Sequence, residues 1–497
     1  MKQSAPAGED RRSTAGSLLT RPEWVILLCF LSAAPFLLTF WVHGDGIGYV
    51  ASLRSVVVER NLDLSNEFEH LARSIQTDAW GLPAVFLSRV SHRPGIDPTF
   101  HAPRPDPVTG RTPSYFSVGP PIAWAPAYVM AHGLTLLAAA AGAAVKPDGY
   151  GGLYALAIVL SSFAFGIAGL LLAFRIAVIA TPPREAMWAV LTIGWASPLV
   201  YYLYLAPSYG HALSAFASAA FFLYWWRTRH ADRAVMWFRW GLLAGILFLV
   251  RWNDVVLALP VFAIEASRQL RGDGSRRAAA SVRRLLACVS AAGLGFLLTA
   301  SPQLFAWQYF HGRPWVRYPV DYIGFSPGGL WGTLFSPSHG LFVWTPVALL
   351  AVAGLFRLLR RDRELAGVGL AALLLLVVSN CTVRDWWGGA SFGMRRLVSG
   401  TPFFALGLAV FLDDLRLALA HRTPRPGNGA GAHVTSTGPR LLAPLAFFAF
   451  SAWNLLLLAQ YALGMISHTG PVSLATIAAN QPRVVARLIR LAGELLR

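Results

Sequence analysis

Residues 43–49 read His43-Gly-Asp45-Gly-Ile-Gly-Tyr49 and close the first long apolar run of the chain, residues 24–42. A carboxylate there stands where a membrane helix would leave the bilayer and meet water. Gly44 and Gly46 let the backbone turn sharply and leave Asp45 uncrowded. The next stretch, 47–60, puts Ser52, Ser55 and Glu59 on one helical face, opposite Val50, Leu53 and Val57, as in a helix lying on a membrane surface. An acid at the water boundary beside such a helix is suited to take a proton from a hydroxyl attacking a lipid-borne substrate. The plainer reading is an Asp that merely ends the first span.

Further clusters carry the same residue types. Asn61-Leu-Asp63-Leu-Ser-Asn-Glu67 adds carboxylates close behind Asp45. Pro207-Ser-Tyr-Gly-His211 places a histidine between two apolar runs, where a structural role is the commoner one. Val250-Arg251-Trp252-Asn253-Asp254 splits an otherwise continuous apolar segment, at a cost of about 2.5–3.5 kcal/mol for each charge at membrane depth. Arg251 suits anion binding, and a turn pair with Asp254 that snorkels to water is the equal alternative. The segment 311–339 holds Tyr318, Asp321, Tyr322 and Phe335-Ser-Pro-Ser-His339. Arg384-Asp385-Trp386-Trp387-Gly388-Gly389-Ala-Ser391-Phe-Gly393-Met-Arg395-Arg396 joins a stacking surface and tight turns to arginines that can fork onto a phosphate. Trp387 also fits the aromatic belt of a membrane boundary.

The elements that must position these residues are apolar. Of 497 residues, 55% are hydrophobic and only 13% charged, which excludes an ordinary soluble protein. Runs of roughly 20 apolar residues recur along the chain, each able to cross about 30 Å of hydrocarbon. The net charge of +18 is not a nucleic-acid signal, because the basic residues lie mostly in short loops between these runs. Cys29, Cys288 and Cys381 have no metal-ligand spacing and sit in or beside apolar runs, so neither disulfides nor a cysteine site is expected. The first apolar run is too long for a signal peptide and has no small-residue cleavage site after it.

Loop charge sets an expected topology. The basic loops lie at the N-terminus, around Arg184, and at 227–239, 268–284, 357–363 and 422–440. Placing all of them in the cytosol requires an even number of crossings between neighbours. Three apolar runs precede Arg184, so one should not cross; 121–145, alanine-rich and holding Pro126 and His132, is read as re-entrant or interfacial. The expectation is an all-α polytopic protein of about 11 spans, N-terminus inside and C-terminus outside. Residues 1–23 form a cytosolic tail, 24–466 the membrane domain with an outer loop at 43–151, and 467–497 a C-terminal tail. Within that tail 480–497 reads as a basic amphipathic helix, which fits an outer placement poorly. Every chemistry-bearing cluster then falls on the extracytoplasmic face of a cell (inner) membrane. Arg395 and Arg396 there oppose the usual charge bias.

In that order and on one face, these segments resemble the GT-C superfamily of membrane glycosyltransferases, and within it bacterial relatives of protein O-mannosyltransferases and lipid A aminoarabinose transferases. The likeness covers nearly the whole chain. It rests on Asp45 after the first span, the interfacial stretch behind it, and Ser114-Tyr-Phe-Ser-Val-Gly119-Pro120-Pro121. It extends to Ser208-Tyr-Gly-His211, Ser336-Pro-Ser-His339-Gly-Leu-Phe and Trp387-Gly-Gly-Ala-Ser-Phe-Gly393-Met-Arg395. The resemblance implies a GT-C-like bundle, a polyprenyl-phosphate sugar donor, inverting transfer outside the cytosol, and Asp45 as the base. Better-known members carry Asp-Glu where this chain has Asp45-Gly46, and often His where it has Gly119. Those departures leave open the acceptor (glycan, lipid or protein) and any divalent metal, for which the sequence shows no ligand pattern.

The expected mechanism places the donor phosphate on Arg395, helped by Arg251 or Arg396, with His211, His339, Trp387 and Tyr115 completing the donor site. Asp45→Asn is then expected to lower turnover by about 10²-fold or more and to leave donor binding nearly unchanged. A transporter or flippase for lipid-linked sugars is the chief rival, although no inverted-repeat hydropathy is visible. A lipid-linked oligosaccharide ligase or polymerase and a membrane scaffold without chemistry are further alternatives.

Overall fold

The computed structural model describes residues 19–74, 103–230, 233–271, 278–316, 324, 327–422, 438–468 and 470–495, and among them it is helical throughout, with no strand. Five helices are long and apolar enough to cross a membrane: α4 (Gly119–Ala140), α5 (Gly152–Ala177), α11 (Ala278–His311), α15 (Arg363–Cys381) and α17 (Gly438–Ala462). Around them stand α1 (Arg21–Leu37), α6 (Pro183–Trp195), α8 (His211–Thr228), α9 (Ala234–Val250), α10 (Leu259–Arg271), α14 (Val347–Leu358) and α16 (Thr401–Arg422). Small residues set the closest approaches. Gly241 and Gly245 of α9 lie on Ala292 and Thr299 of α11, and Gly354 of α14 meets Gly407 of α16. Where both neighbours are apolar, close backbone packing is a main source of helix association.

Among the described residues, charged side chains gather at two places. At one end, Arg175 pairs with Glu23 at 2.7 Å, Arg416 with Glu185 at 3.2 Å, Arg361 with Asp413 at 3.3 Å, and Arg268 with Glu265 at 2.6 Å. Arg229 joins them through Glu364 at 3.6 Å, and this is called the basic end below. The other end gathers Asp45, His211, Arg251, His311, Asp385, Arg395 and Arg396, and is called the site end below.

Two long apolar stretches are interrupted near the site end. The stretch 186–206 divides into α6 and α7 (Leu199–Tyr204) at Ser197-Pro198, and 340–356 divides into α13 (Leu341–Trp344) and α14 at Thr345-Pro346. Short 3₁₀ turns, Trp252–Ala258 and Arg395–Gly400, precede α10 and α16. Proline cannot supply the amide that a continuous helix needs. At membrane depth such irregular backbone is tolerated where protein or a cavity surrounds it.

A second layer covers the site end: α2 (Asp45–Arg54), its terminal π-turn Ser55–Glu59, and α3 (Ser65–Ser74). The stretch after Asp45 is not the expected two-faced surface helix. Residues 46–51 are all buried, and Ser55 is buried and bonded to Asn61 and Asp63. The reason is a polar core beneath the layer, in which Arg54 donates to Glu67 at 2.8 Å, to Glu59 at 2.6 Å and to the Asp148 carbonyl at 2.7 Å. The segment read as interfacial begins earlier, at Gly119, and is a single 22-residue helix, α4. Its buried Trp124 and Tyr128 join the cluster formed by Tyr49, Val50, Leu53, Phe68 and Tyr154, so it packs with this second layer. The C-terminal amphipathic helix, α18, also begins earlier than its charge pattern indicated, at Leu474.

Candidate functional site

Asp45 is the first residue of α2, not the last of α1. Helix α1 stops at Leu37, and an extended link follows in which Thr39 donates its amide to the Tyr204 carbonyl at 2.8 Å. The glycines flanking Asp45 are crowded rather than open. Gly44 has φ +52°, and a Cβ on it would strike the Tyr209 hydroxyl; one on Gly46 would strike Ser208. They are glycines because α2 lies directly against the 207–210 turn. His43 beneath them is stacked on Trp41 with centroids 4.2 Å apart, and burial pushes its pKa down to about 4.

Arg395 reaches Asp45 across 350 residues of sequence, its Nη1 donating to Asp45 Oδ2 at 2.6 Å. Both side chains are partly exposed. The turn 388–393 delivers the arginine, with Gly388 at φ +83° and Gly393 at φ +62°, and a side chain on Gly388 would press on the guanidinium. Burial disfavours charge on Arg395, but Asp45, with Tyr202, Tyr209 and Asp385 nearby, outweighs it and holds the group above its ordinary value. Its neighbour Arg396 is turned elsewhere. It forks onto Asp385 at 2.8 and 2.9 Å and also donates to Asn380 Oδ1 at 3.2 Å.

Arg251 follows the last residue of α9, and its Nη1 is buried without a hydrogen-bond partner. The turn pair with Asp254 is not formed. The two residues share a backbone bond, Asp254 N–H to the Arg251 carbonyl at 2.8 Å, and their side chains act on each other only through space. The Asp254 carboxylate instead takes the hydroxyls of Ser214 and, at 2.9 Å, Ser399, which ties α8 to both 3₁₀ turns.

Asp45, Arg251, Arg395 and Arg396 line one cavity of about 400 Å³, together with Tyr49, Tyr115, Phe116, Ser117, Trp252, Asn253 and Val383. Three guanidinium groups and one carboxylate over an aromatic wall could seat an anionic phosphate beside a group able to accept a proton. A larger cavity, about 670 Å³, lies between α4 and α5 beside His70, Lys146 and Tyr150, and holds none of the four charged site residues.

Tyr115 lines the site as expected, its ring stacked over His311 with centroids 6.1 Å apart. His211, His339 and Trp387 do not. His211 is buried between Tyr202 and Tyr209 under the cavity floor. His339 is buried against Trp344, with φ +68°, and burial lowers its pKa to about 4. Trp387 meets Trp386 edge-on outside the cavity. The carboxylates of 61–67 also lie elsewhere: Asp63 accepts from Ser65, and Glu67 serves Arg54. Tyr318, Asp321 and Tyr322 fall outside the described residues.

Two features were missed from sequence. Tyr49 stands one helical turn after Asp45, a spacing that could have revealed it. Asp106 fixes His311 Nδ1 at 3.0 Å across 205 residues, and nothing local signals that pair. Among the described residues no group of three or more His, Cys, Asp or Glu could hold a metal ion. No family model matches the chain, and a search of curated proteins finds no match.

Proposed function

We propose that this is an integral membrane glycosyltransferase that moves a sugar from a polyprenyl-phosphate donor to an acceptor hydroxyl, with inversion, at the extracytoplasmic face. The observation that carries the reading is the convergence on one cavity of Asp45, Arg395 and Arg251, whose Nη1 has no hydrogen-bond partner. The proposal puts the basic end in the cytosol and the site end outside, with the polyprenyl tail in the hydrocarbon between helices.

Arg251 is the first anchor for the donor phosphate, because its Nη1 has no partner to give up. Arg395 is the second, and it must first leave Asp45. The phosphate therefore competes with the carboxylate for Arg395, and donor binding frees the base. Asp45 then takes the proton of the acceptor hydroxyl as that oxygen bonds to the anomeric carbon, and the sugar–phosphate bond breaks with its electron pair on the polyprenyl phosphate. The released phosphate is a stable anion held by arginines, so no general acid is needed. A positioned base of this kind contributes about 10²–10⁴-fold. Tyr115 and Trp252 offer aromatic faces to the sugar.

The test is transfer by purified protein in lipid nanodiscs, supplied with polyprenyl-phosphate hexoses or pentoses and a panel of hydroxyl acceptors. Sugar transfer that Asp45→Asn abolishes supports the reading. Donor movement between leaflets without transfer, unaffected by that substitution, would establish a flippase instead.

A further inference from the structure

Helix α18 (Leu474–Leu495) is fixed to the site end at several points. Val472 N–H donates to Ser338 Oγ at 2.9 Å, Gln460 Nε2 to the Ile477 carbonyl at 3.2 Å, and Asn480 Nδ2 to the Met465 carbonyl at 3.0 Å. One stripe is buried: Ile477 and Val484, with Leu488 and Leu491 beside them. Val484 packs among Leu456, Ala459, Leu463 and Met465, in the last two turns of α17 and just past it, so α18 packs on that end of α17.

Two further stripes flank the buried one. At 100° per residue, Leu474, Val485 and Ile489 fall on one side, 55%, 42% and 69% exposed. Arg483, Arg487 and Arg490 fall on the other, and none of them forms an ion pair with a described residue. A contiguous exposed apolar stripe marks a surface that something apolar covers, and three adjacent like charges repel unless an anion faces them. A helix lying across the rim of a bundle meets both demands at one kind of surface. Its apolar flank dips among acyl chains while its basic flank lies at the level of phosphate groups.

We infer that α18 is a docking surface for anionic phospholipid headgroups at the bilayer rim of the site end. This rests on the membrane setting proposed above but not on sugar transfer. The anion is supplied by the lipid surface, because the flanking stripe is apolar along the same length of helix; a soluble phosphate or an acidic peptide would leave that stripe uncovered.

The experiment places a fluorophore at Ile489→Cys, in full-length protein whose three native cysteines are replaced by serine. The protein is held in nanodiscs of phosphatidylcholine mixed with phosphatidylglycerol, and only one of the two lipids is brominated to act as quencher. The expected result is stronger quenching by brominated phosphatidylglycerol than by brominated phosphatidylcholine. That preference should fall roughly fivefold for each of Arg483→Gln, Arg487→Gln and Arg490→Gln, and fade at high salt. Equal quenching by both lipids, or a preference that survives the triple substitution, would overturn the anionic surface. No quenching by either would mean that a second copy or another protein covers the helix. Sugar transfer, assayed in the same nanodiscs, reports separately on the proposed activity.

Discussion

The contact between Asp45 and Arg395 decides what single substitutions at the site should do. With Arg395 Nη1 seated on its Oδ2 at 2.6 Å, Asp45 has that oxygen occupied until the cation is drawn away. Asp45→Asn should therefore lower turnover by about 10²-fold or more while tightening binding of polyprenyl phosphate, since Arg395 no longer has a competing anion. Equilibrium binding of the labelled lipid to wild type and variant checks this; weaker binding in the variant would remove the competition from the mechanism. The charge pattern alone led to the expectation of unchanged binding, because it could not show that the two residues touch. Arg251→Ala should raise the donor KM with little change in kcat, having removed an anchor used in both ground and transition states. Arg395→Lys should recover only part of the loss caused by Arg395→Ala, because an ammonium cannot fork onto two phosphate oxygens as a guanidinium does.

Among the elements, the layer of α2 and α3 is the one whose stability should respond to pH. Burial, reinforced by Glu59, raises Glu67 from an ordinary 4.5 to about 7. The folded protein thus holds a proton that the unfolded chain releases earlier. Its contribution is fully present below about 4.5 and is lost as pH rises through about 7. His43, lowered to about 4 by burial, works in the opposite direction, since acid below its ordinary 6.5 favours the unfolded chain. The two partly cancel in the wild type, so the Glu67 share is isolated as the stability difference between wild type and Glu67→Gln. That difference should shrink in the wild type's disfavour between pH 4.5 and 7, measured by thermal unfolding in detergent; a constant difference would show that Glu67 titrates normally. The segment ahead of α4 is held by Asp106 on His311 and by Thr109 on the Phe310 carbonyl at 2.6 Å. Asp106→Asn should cost about 1–3 kcal/mol through the lost charge-assisted bond, and Tyr115, carried on that segment, should lose its place in the cavity.

For the molecule as a whole, the separation of the ion-paired basic end from the site end predicts two accessibilities. Cysteines at exposed Val108 and exposed Arg360 stand at the site end and the basic end respectively. In intact cells an impermeant maleimide should label Val108→Cys and spare Arg360→Cys until the membrane is opened. Labelling of Arg360→Cys alone would place the cavity on the cytosolic side and exclude an extracytoplasmic transfer; labelling of both would show that the two ends are not on opposite sides of the membrane.

Composition and periodicity were enough to establish an all-helical chain with helices long and apolar enough to cross a membrane, because apolar length is a local property of sequence. They also singled out Asp45, Arg251, Arg395, Arg396 and Tyr115, which share the cavity, since charge among apolar segments is costly and is rarely placed there idly. Only the tertiary structure decided how those charges are shared. Asp45 binds Arg395, Asp385 binds Arg396, and Asp254 turns to serines, which leaves Arg251 as the site cation with an unpartnered nitrogen. His211, His339 and Trp387 looked equally suited to the site, yet packing buried the two histidines and turned the tryptophan aside. Which cation a carboxylate meets depends on contacts such as that between Asp45 and Arg395, 350 residues apart, and no local pattern of residues encodes a distance of that kind.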